Sequence, residues 1–127
     1  MTESTVTVGK QLCCLIVEDQ ALIALDLESM LLAAGATQVA TANTLEQADK
    51  LVKSQLFDAV FLEVQMGDLT TISLARKLRN DSVPVIFSTG SDIKSTLPEE
   101  FHRHAILGKP YSEHDVRQIV KNLLAQV

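Results

Sequence analysis

Asp58-Ala59-Val60-Phe61-Leu62-Glu63 is an apolar run that ends in a carboxylate, and this pattern recurs along the chain. A continuous apolar run is typical of a strand buried on both faces, as in a parallel sheet. Three further apolar runs also lead into polar residues: Leu15-Ile16-Val17 into Glu18-Asp19, Val85-Ile86-Phe87 into Ser88-Thr89, and Ala105-Ile106-Leu107 into Gly108-Lys109-Pro110. Carboxylates, a hydroxyl and an ammonium delivered to one edge of a sheet would form a site suited to a phosphoryl group.

The segments between these runs have helical spacing. Strands are predicted at 12–17, 39–42, 57–64, 83–88 and 105–107, and helices at 20–34, 44–54, 71–79 and 112–127, with an irregular helical segment at 91–103 that Pro98 interrupts. Strands alternating with helices predict an α/β fold with a doubly wound, five-stranded parallel sheet and helices on both faces. Ligands of such sheets bind at the carboxyl ends of the strands.

Composition narrows the class of protein. The 127 residues predict one domain, with residues 1–10 as a flexible extension and 11–127 as the folded part. A net charge of -5 argues against nucleic acid as the main partner, because phosphate backbones require basic surface. No segment of signal-peptide or membrane-spanning type occurs, so we expect a cytoplasmic protein without a membrane partner.

The predicted edge carries chemistry that is independent of any family. The carboxylates of Glu18, Asp19 and Glu63 would repel one another there, so a divalent cation or a proton must neutralise part of their charge. Hard oxygen ligands suit Mg²⁺, which binds one or two carboxylates and keeps several waters. Thr89 and Lys109 could neutralise phosphoryl oxygens, since phosphoryl transfer depends mainly on positioning and charge.

With these motifs in view, the chain resembles the receiver domain of two-component response regulators over nearly its whole length. The resemblance implies a flavodoxin-like sheet of order 2-1-3-4-5. It implies Mg²⁺ bound by Glu18, Asp19, Glu63 and the backbone carbonyl of Gln65, with Glu63 at the phosphoacceptor position. Thr89 and Lys109 would bind the phosphoryl oxygens, and the Lys109-Pro110 peptide would be cis, which proline permits.

Three residues depart from the family pattern, and one of them is Gly67, where the family commonly has proline after Met66. Glu63 stands where the family has aspartate and is longer by one C–C bond, about 1.5 Å. A displacement of about 1 Å can slow a positioned reaction about 10²-fold, so we expect Glu63 to accept phosphate poorly or not at all. In receivers such a glutamate sometimes imitates the phosphorylated state. Ile106 stands where the family often has Tyr or Phe as a switch residue, so coupling to the partner surface would be altered.

The resemblance favours a single-domain, atypical or phosphomimetic receiver in a phosphorelay, an interaction module rather than an enzyme. Its partner would be a histidine kinase, a phosphotransfer protein or a downstream effector, bound through the fourth helix, fifth strand and fifth helix. A homodimer is an alternative form of association. One alternative is an ordinary Mg²⁺-dependent phosphoacceptor represented by an Asp-to-Glu activated variant. Another is a salt bridge between Lys109 and Glu63 that closes a relic pocket and weakens or abolishes Mg²⁺ binding.

Two other classes of protein fit the sequence less well than a receiver domain. A metal-dependent phosphatase of similar topology would need an aspartate nucleophile and a second acid two residues later, and Glu63-Val64-Gln65 has neither. A flavin-binding module is disfavoured by the few aromatic residues and by the lack of a phosphate loop after the first strand.

Overall fold

The computed structural model describes residues 11–90 and 97–126. The predicted flexible extension, residues 1–10, lies outside the described residues. The main-sheet strands and the α-helices are β1 (Cys13–Val17), α1 (Ala21–Ala34), β2 (Gln38–Ala42), α2 (Leu45–Ser54), β3 (Ala59–Glu63), α3 (Ile72–Asn80), β4 (Val85–Thr89), β5 (Ala105–Gly108) and α4 (Glu113–Gln126).

The five strands form one parallel sheet in the order β2-β1-β3-β4-β5, which confirms the predicted topology. Successive side chains on a strand point to opposite faces, so each buried strand feeds two cores. On one face, α1 and α4 cover a core that contains Ile16 and Phe61. On the other face, residues of α2, α3 and the segment 97–101 cover a core that contains Val17 and Phe87.

The register brings the carboxyl ends of the strands to the same edge. Val17 of β1 lies beside Leu62 of β3, and Glu63 lies beside Ser88 of β4. Glu63 is the last residue of its strand, so its side chain is presented at this edge together with the residues that follow β1 and β5. The fold therefore gathers the polar residues that end the apolar runs.

Two residues with a specific conformational role stand at helix ends close to the predicted bounds. The Thr44 hydroxyl accepts a hydrogen bond from the Gln47 amide, at 3.1 Å, as an N-cap residue does. Gln47 Oε1 accepts from the Asn43 amide at 2.9 Å, one residue before the position expected of a capping box. Gly35 ends α1 with φ of 124°, a conformation that residues with a Cβ rarely adopt.

Two segments differ from the prediction. Within the described part of the fourth helical segment, the new start after Pro98 is a single 3-10 turn, Glu99–Phe101, because Pro98 restricts the backbone and only three residues follow with helical geometry. Residues 91–96 of that segment lie outside the described residues. Between β3 and α3, where no strand or helix is predicted, a short hairpin pairs Gln65–Met66 with Leu69–Thr70, and Gly67 at its turn has φ of 63°.

Among the helices that the structure describes, none combines the length and the apolar character needed to cross a bilayer.

Candidate functional site

Lys109 lies between two glutamates at the carboxyl edge of the sheet. Its Nζ donates to Oε1 of Glu18 at 2.5 Å and to Oε1 of Glu63 at 2.6 Å. Glu18 is 1% exposed and Glu63 is 7% exposed, so both carboxylates are almost fully removed from water. One ammonium therefore joins the ends of β1, β3 and β5.

Backbone amides occupy the other carboxylate oxygens. Oε2 of Glu18 accepts a hydrogen bond from the Gln20 amide at 3.1 Å, and Oε2 of Glu63 accepts from the Gln65 amide at 3.3 Å. Each amide lies two residues after its glutamate, so the acid folds back onto the chain that follows its own strand. All four carboxylate oxygens thus have an internal donor.

Burial and hydrogen bonding oppose each other in this cluster. Burial raises the pKa of Glu18, and the hydrogen bonds from Lys109 and from the Gln20 amide offset only part of that shift. Burial by itself would favour the neutral amine of Lys109, but its hydrogen bonds to Glu18 and Glu63 outweigh this effect and raise its pKa. Lys109 consequently remains an ammonium at neutral pH, while Glu18 takes up a proton more readily than an exposed glutamate.

Two hydrogen bonds hold the backbone of the site. The Thr71 hydroxyl, at the start of α3, donates to the carbonyl of Glu63 at 2.7 Å and is fully buried. The backbone amide of Lys109 donates to the carbonyl of Thr89 at 3.0 Å, which extends the pairing of β4 and β5 up to the site. These bonds fix the two chain segments from which Glu63 and Lys109 project.

The segment after Lys109 is also anchored. The Lys109-Pro110 peptide is cis. The Tyr111 hydroxyl donates to Oγ of the buried Ser88 at 3.2 Å, and burial raises the pKa of Tyr111. Ser88 therefore serves as a structural contact of Tyr111, next to Thr89 on the same strand.

Two predicted site residues are not bonded to Lys109. Asp19 is exposed and its side chain contacts that of Glu18, but within residues 11–90 and 97–126 it forms no ion pair with Lys109. Ile106 lies on β5 and is 36% exposed. Thr89 is almost fully buried at the end of β4, beside Gly108 in the register, so the structure brings it to the same edge.

The donor set does not fit Mg²⁺ as it stands. Mg²⁺ requires oxygen ligands in near-octahedral geometry, and both oxygens of Glu18 and of Glu63 already accept hydrogen bonds from the chain. Across the described residues, the acids, cysteines and histidines form no cluster of three or more that could hold a metal ion. The Lys109 ammonium occupies the position between the carboxylates that a cation would need.

The sequence model of the response regulator receiver domain family matches residues 14–121, which is most of the chain. The chain belongs to this family. No curated protein sequence matches this receiver. Among solved structures, SdrG from Sphingomonas melonis Fr1 is 30% identical, with 90% of this chain and 97% of that chain covered and a TM-score of 0.77.

Two further structures show the same fold. A putative response regulator from Chloroflexus aurantiacus J-10-fl is 26% identical, with 91% of this receiver and 99% of that chain covered and a TM-score of 0.77. The receiver domain of sensor histidine kinase PA1611 from Pseudomonas aeruginosa PAO1, with a magnesium ion coordinated in its active site cleft, is 21% identical, with coverage of 91% and 98% and a TM-score of 0.77.

Three contacts of this receiver were not predicted from its sequence. The bond from Lys109 to Glu18 spans 91 positions and competes with the expected role of Glu18 as a metal ligand. Thr71 and Tyr111 were not assigned to the site. A threonine directly before a helix and a tyrosine directly after Lys109-Pro110 were the available signals, and neither is specific.

Proposed function

We propose that this receiver acts as an atypical interaction domain whose output depends little on phosphorylation. The observation that carries the proposal is the double hydrogen bond of Lys109 to Glu18 and Glu63. In a phosphoacceptor site the lysine would be needed for phosphoryl oxygens and the acids for a metal ion. Here the Lys109 ammonium and the carboxylates of Glu18 and Glu63 are hydrogen-bonded to one another instead.

The position of Glu63 supports the same conclusion. Its extra methylene moves the carboxylate about 1.5 Å further from the backbone than an aspartate carboxylate would lie. Both Glu63 oxygens accept hydrogen bonds, one from Lys109 and one from the Gln65 amide, so neither is presented as a nucleophile. A negative charge held against Lys109 also resembles the charge of a phosphorylated acceptor, which supports a phosphomimetic state.

We propose further that protein partners bind the face that contains β5 and α4 together with the segment 91–103, of which residues 97–103 are described. A histidine kinase, a phosphotransfer protein or a downstream effector would be such a partner. Ile106 contributes an exposed aliphatic side chain to this face instead of a buried aromatic ring. Without a ring to move inward, the face would keep one arrangement.

Acetyl phosphate labelling tests the proposal. The full chain is incubated with acetyl phosphate and Mg²⁺, and the gain of a phosphoryl group is followed by intact mass together with the amide chemical shifts of β5 and α4. We expect neither labelling nor shift changes. The Glu63 carboxylate lies further from the backbone than an aspartate carboxylate would, and it is hydrogen-bonded to Lys109 and to the Gln65 amide. Stoichiometric acid-labile labelling of Glu63 would refute the proposal.

Two variants make this test sharper. Asp68→Asn changes an exposed loop acid near the site and should behave like the parent chain. Glu63→Asp restores the family residue. Labelling of Glu63→Asp, accompanied by shifts in β5 and α4, would favour the alternative of an ordinary phosphoacceptor represented by an activated variant, whereas an unlabelled Glu63→Asp would support a pocket closed by Lys109 and Glu18.

A further inference from the structure

Phe101 lies at the centre of a small cluster of rings between the 97–104 segment and the sheet. It is fully buried, and its ring centroid is 5.3 Å from that of Phe87 on β4, in the edge-to-face arrangement that aromatic pairs favour. The His104 ring meets both at steep angles, with its centroid 5.2 Å from that of Phe101 and 5.9 Å from that of Phe87. These contacts hold the segment, whose regular structure is one 3-10 turn, against β4.

Two arginines of α3 fasten the same segment from the side. The Arg79 guanidinium lies 5.0 Å from the centroid of the Phe101 ring, and its Nη1 lies 2.8 Å from Oε1 of Glu100. Arg76, three residues earlier on α3, donates from Nη2 to Oε2 of Glu100 at 3.0 Å. The hydrogen bonds from Arg76 and Arg79 lower the pKa of Glu100, so this acid stays ionised and these ion pairs do not depend on pH near neutrality.

His104 is the member of this cluster whose charge can change between about pH 5 and 8. Burial lowers the pKa of His104, and the positive charge of Arg79 lowers it further, so the packed ring is neutral at pH 7. His104 is only half-buried, and a cavity of about 430 Å³ borders it and Arg79 on the outside. Water therefore reaches the ring, but the packed ring lacks part of the hydration that its cation requires.

The other charged groups around His104 do not balance a second positive charge. Glu100, the acid of the same segment that faces α3, is already paired with two arginines, and Arg103 lines the same cavity as His104 and would repel its cation. The turn before β4 carries Asp81, which is exposed and forms no ion pair with His104 within residues 11–90 and 97–126. The His102 ring bonds a backbone carbonyl of the segment, a contact that a charged ring keeps. Strands β4 and β5 contribute no titratable side chain.

We propose that His104 makes the packing of the 97–104 segment dependent on pH. With a neutral His104 ring, the segment stays packed on β4 and α3. A charged ring would place a second cation beside Arg79 and against two apolar rings, with no unpaired acid of the described residues next to it. Protonation therefore favours a rare open state in which Phe101 and His104 lie away from Phe87 and the His104 cation is hydrated.

This inference deepens the proposed function, on which its consequence for partner binding rests. Residues 97–103 belong to the proposed partner face, so opening of the segment at acidic pH would weaken partner binding without any phosphoryl group. Ile106 has no ring that could move inward, whereas His104 gives the same face a second arrangement that a proton selects. The test uses neither a phosphodonor nor a partner, so its failure would leave the proposal about Glu63 untouched, and labelling of Glu63 would leave this one untouched.

Proton linkage gives the sign and the upper limit of the effect. In the open segment His104 has its ordinary pKa of about 6.5, whereas in the packed segment the pKa is lower. The open state therefore binds more protons, and its population rises as pH falls below about 6.5. At about pH 5.5 a histidine with the ordinary pKa is charged about ten times as often as it is neutral. The open population can thus rise by at most about 10-fold relative to about pH 7.5.

Hydrogen exchange of the full chain at about pH 5.5 and about pH 7.5 measures the open population. The amides of Phe101 and His104 donate to carbonyls within the segment, those of Pro98 and Phe101, at 2.9 and 3.0 Å, so their protection factors report its opening. We expect these factors, corrected for the intrinsic exchange rate at each pH, to fall several-fold at the lower pH, within the limit of about 10-fold. The amide of Ala48 in α2 is the internal control and should keep its protection factor. Equal changes at all three amides, or none at Phe101 and His104, would overturn the proposal.

Two variants separate the charge of His104 from its packing. His104→Phe keeps a ring against the two phenylalanines but cannot take up a proton, so its segment should have the same protection factors at both pH values. Arg79→Gln removes one of the two causes that lower the pKa of His104, so the midpoint of the His104 ring titration, followed by NMR, should rise. His114→Gln and Arg117→Gln change exposed residues of α4 and should behave like the parent chain. A His104→Phe segment that still opens at the lower pH, or an unchanged midpoint in Arg79→Gln, would contradict the proposal.

Discussion

Replacing Lys109 by methionine would leave two buried carboxylates without their cation. Methionine retains the aliphatic stem of the side chain but removes the ammonium that bonds Glu18 and Glu63. Loss of one partner from a buried ion pair typically costs about 3–5 kcal/mol, since an uncompensated charge remains. Lys109 is only 15% exposed, so water can replace the ammonium only in part.

The expected loss lies at the lower end of that range. Burial already raises the pKa of Glu18, so this residue can take up a proton and limit the penalty. We therefore expect Lys109→Met to lower the free energy of unfolding by about 3 kcal/mol at neutral pH. With a slope of about 2 kcal/mol per molar urea, the midpoint of unfolding would fall by about 1.5 M.

Urea unfolding followed by circular dichroism measures this loss. Lys121→Met, on the exposed side of α4, is the matched control, and surface changes of this kind stay within about 0.5 kcal/mol. The double variant Lys109→Met/Glu63→Gln should be more stable than Lys109→Met, because only one unpaired carboxylate remains. A midpoint for Lys109→Met equal to that of the control, or a double variant weaker than the single one, would refute the reasoning.

Three further predictions rest on the same structure. Millimolar Mg²⁺ should leave the Tm of the parent chain unchanged but raise that of Lys109→Met, whose two carboxylates lack a cation, and equal responses in a thermal scan would contradict this. Since the pKa of Lys109 is raised, the folded chain holds this proton more tightly than the unfolded chain; urea midpoints should therefore fall as pH rises past about 10.4, less steeply in Lys109→Met. Phe101→Ala should lower the free energy of unfolding by about 3–5 kcal/mol, because Phe101 is fully buried against Phe87 with ring centroids 5.3 Å apart; a urea midpoint close to that of the parent chain would contradict this.

The sheet was predictable because its strands are buried on both faces. Continuous apolar runs such as Val60-Phe61-Leu62 have few other interpretations when helical segments separate them. The predicted helices 20–34 and 44–54 agree closely with α1 and α2, where Gly35 ends the first and Thr44 caps the second. The prediction was weakest in the segment 91–103, where Pro98 conflicts with helical continuity and only a 3-10 turn is described.

The site was predictable as a place, but its contacts were not. Parallel topology brings the ends of β1, β3, β4 and β5 together whatever the side chains do. The choice of acid that Lys109 binds depends on side-chain torsion angles and on burial. No periodic pattern of residues in the sequence reports either of them. The sequence raised the pair of Lys109 with Glu63 as one alternative, whereas the simultaneous bond to Glu18 emerged only from the structure.

The glutamate at Glu63 and the closed pocket are one feature of this receiver. Lys109 Nζ lies 2.6 Å from Glu63 Oε1 and 2.5 Å from Glu18 Oε1, so both acids reach the same nitrogen. An aspartate carboxylate at this position would end about 1.5 Å nearer its own backbone, so it would reach that nitrogen only if the lysine side chain or the backbone moved. The backbone is held in place, because the Thr71 hydroxyl donates to the Glu63 carbonyl. The longer side chain therefore both displaces the acceptor oxygen and completes a second bond to Lys109, and Glu63→Asp should weaken that bond while Lys109 stays bonded to Glu18.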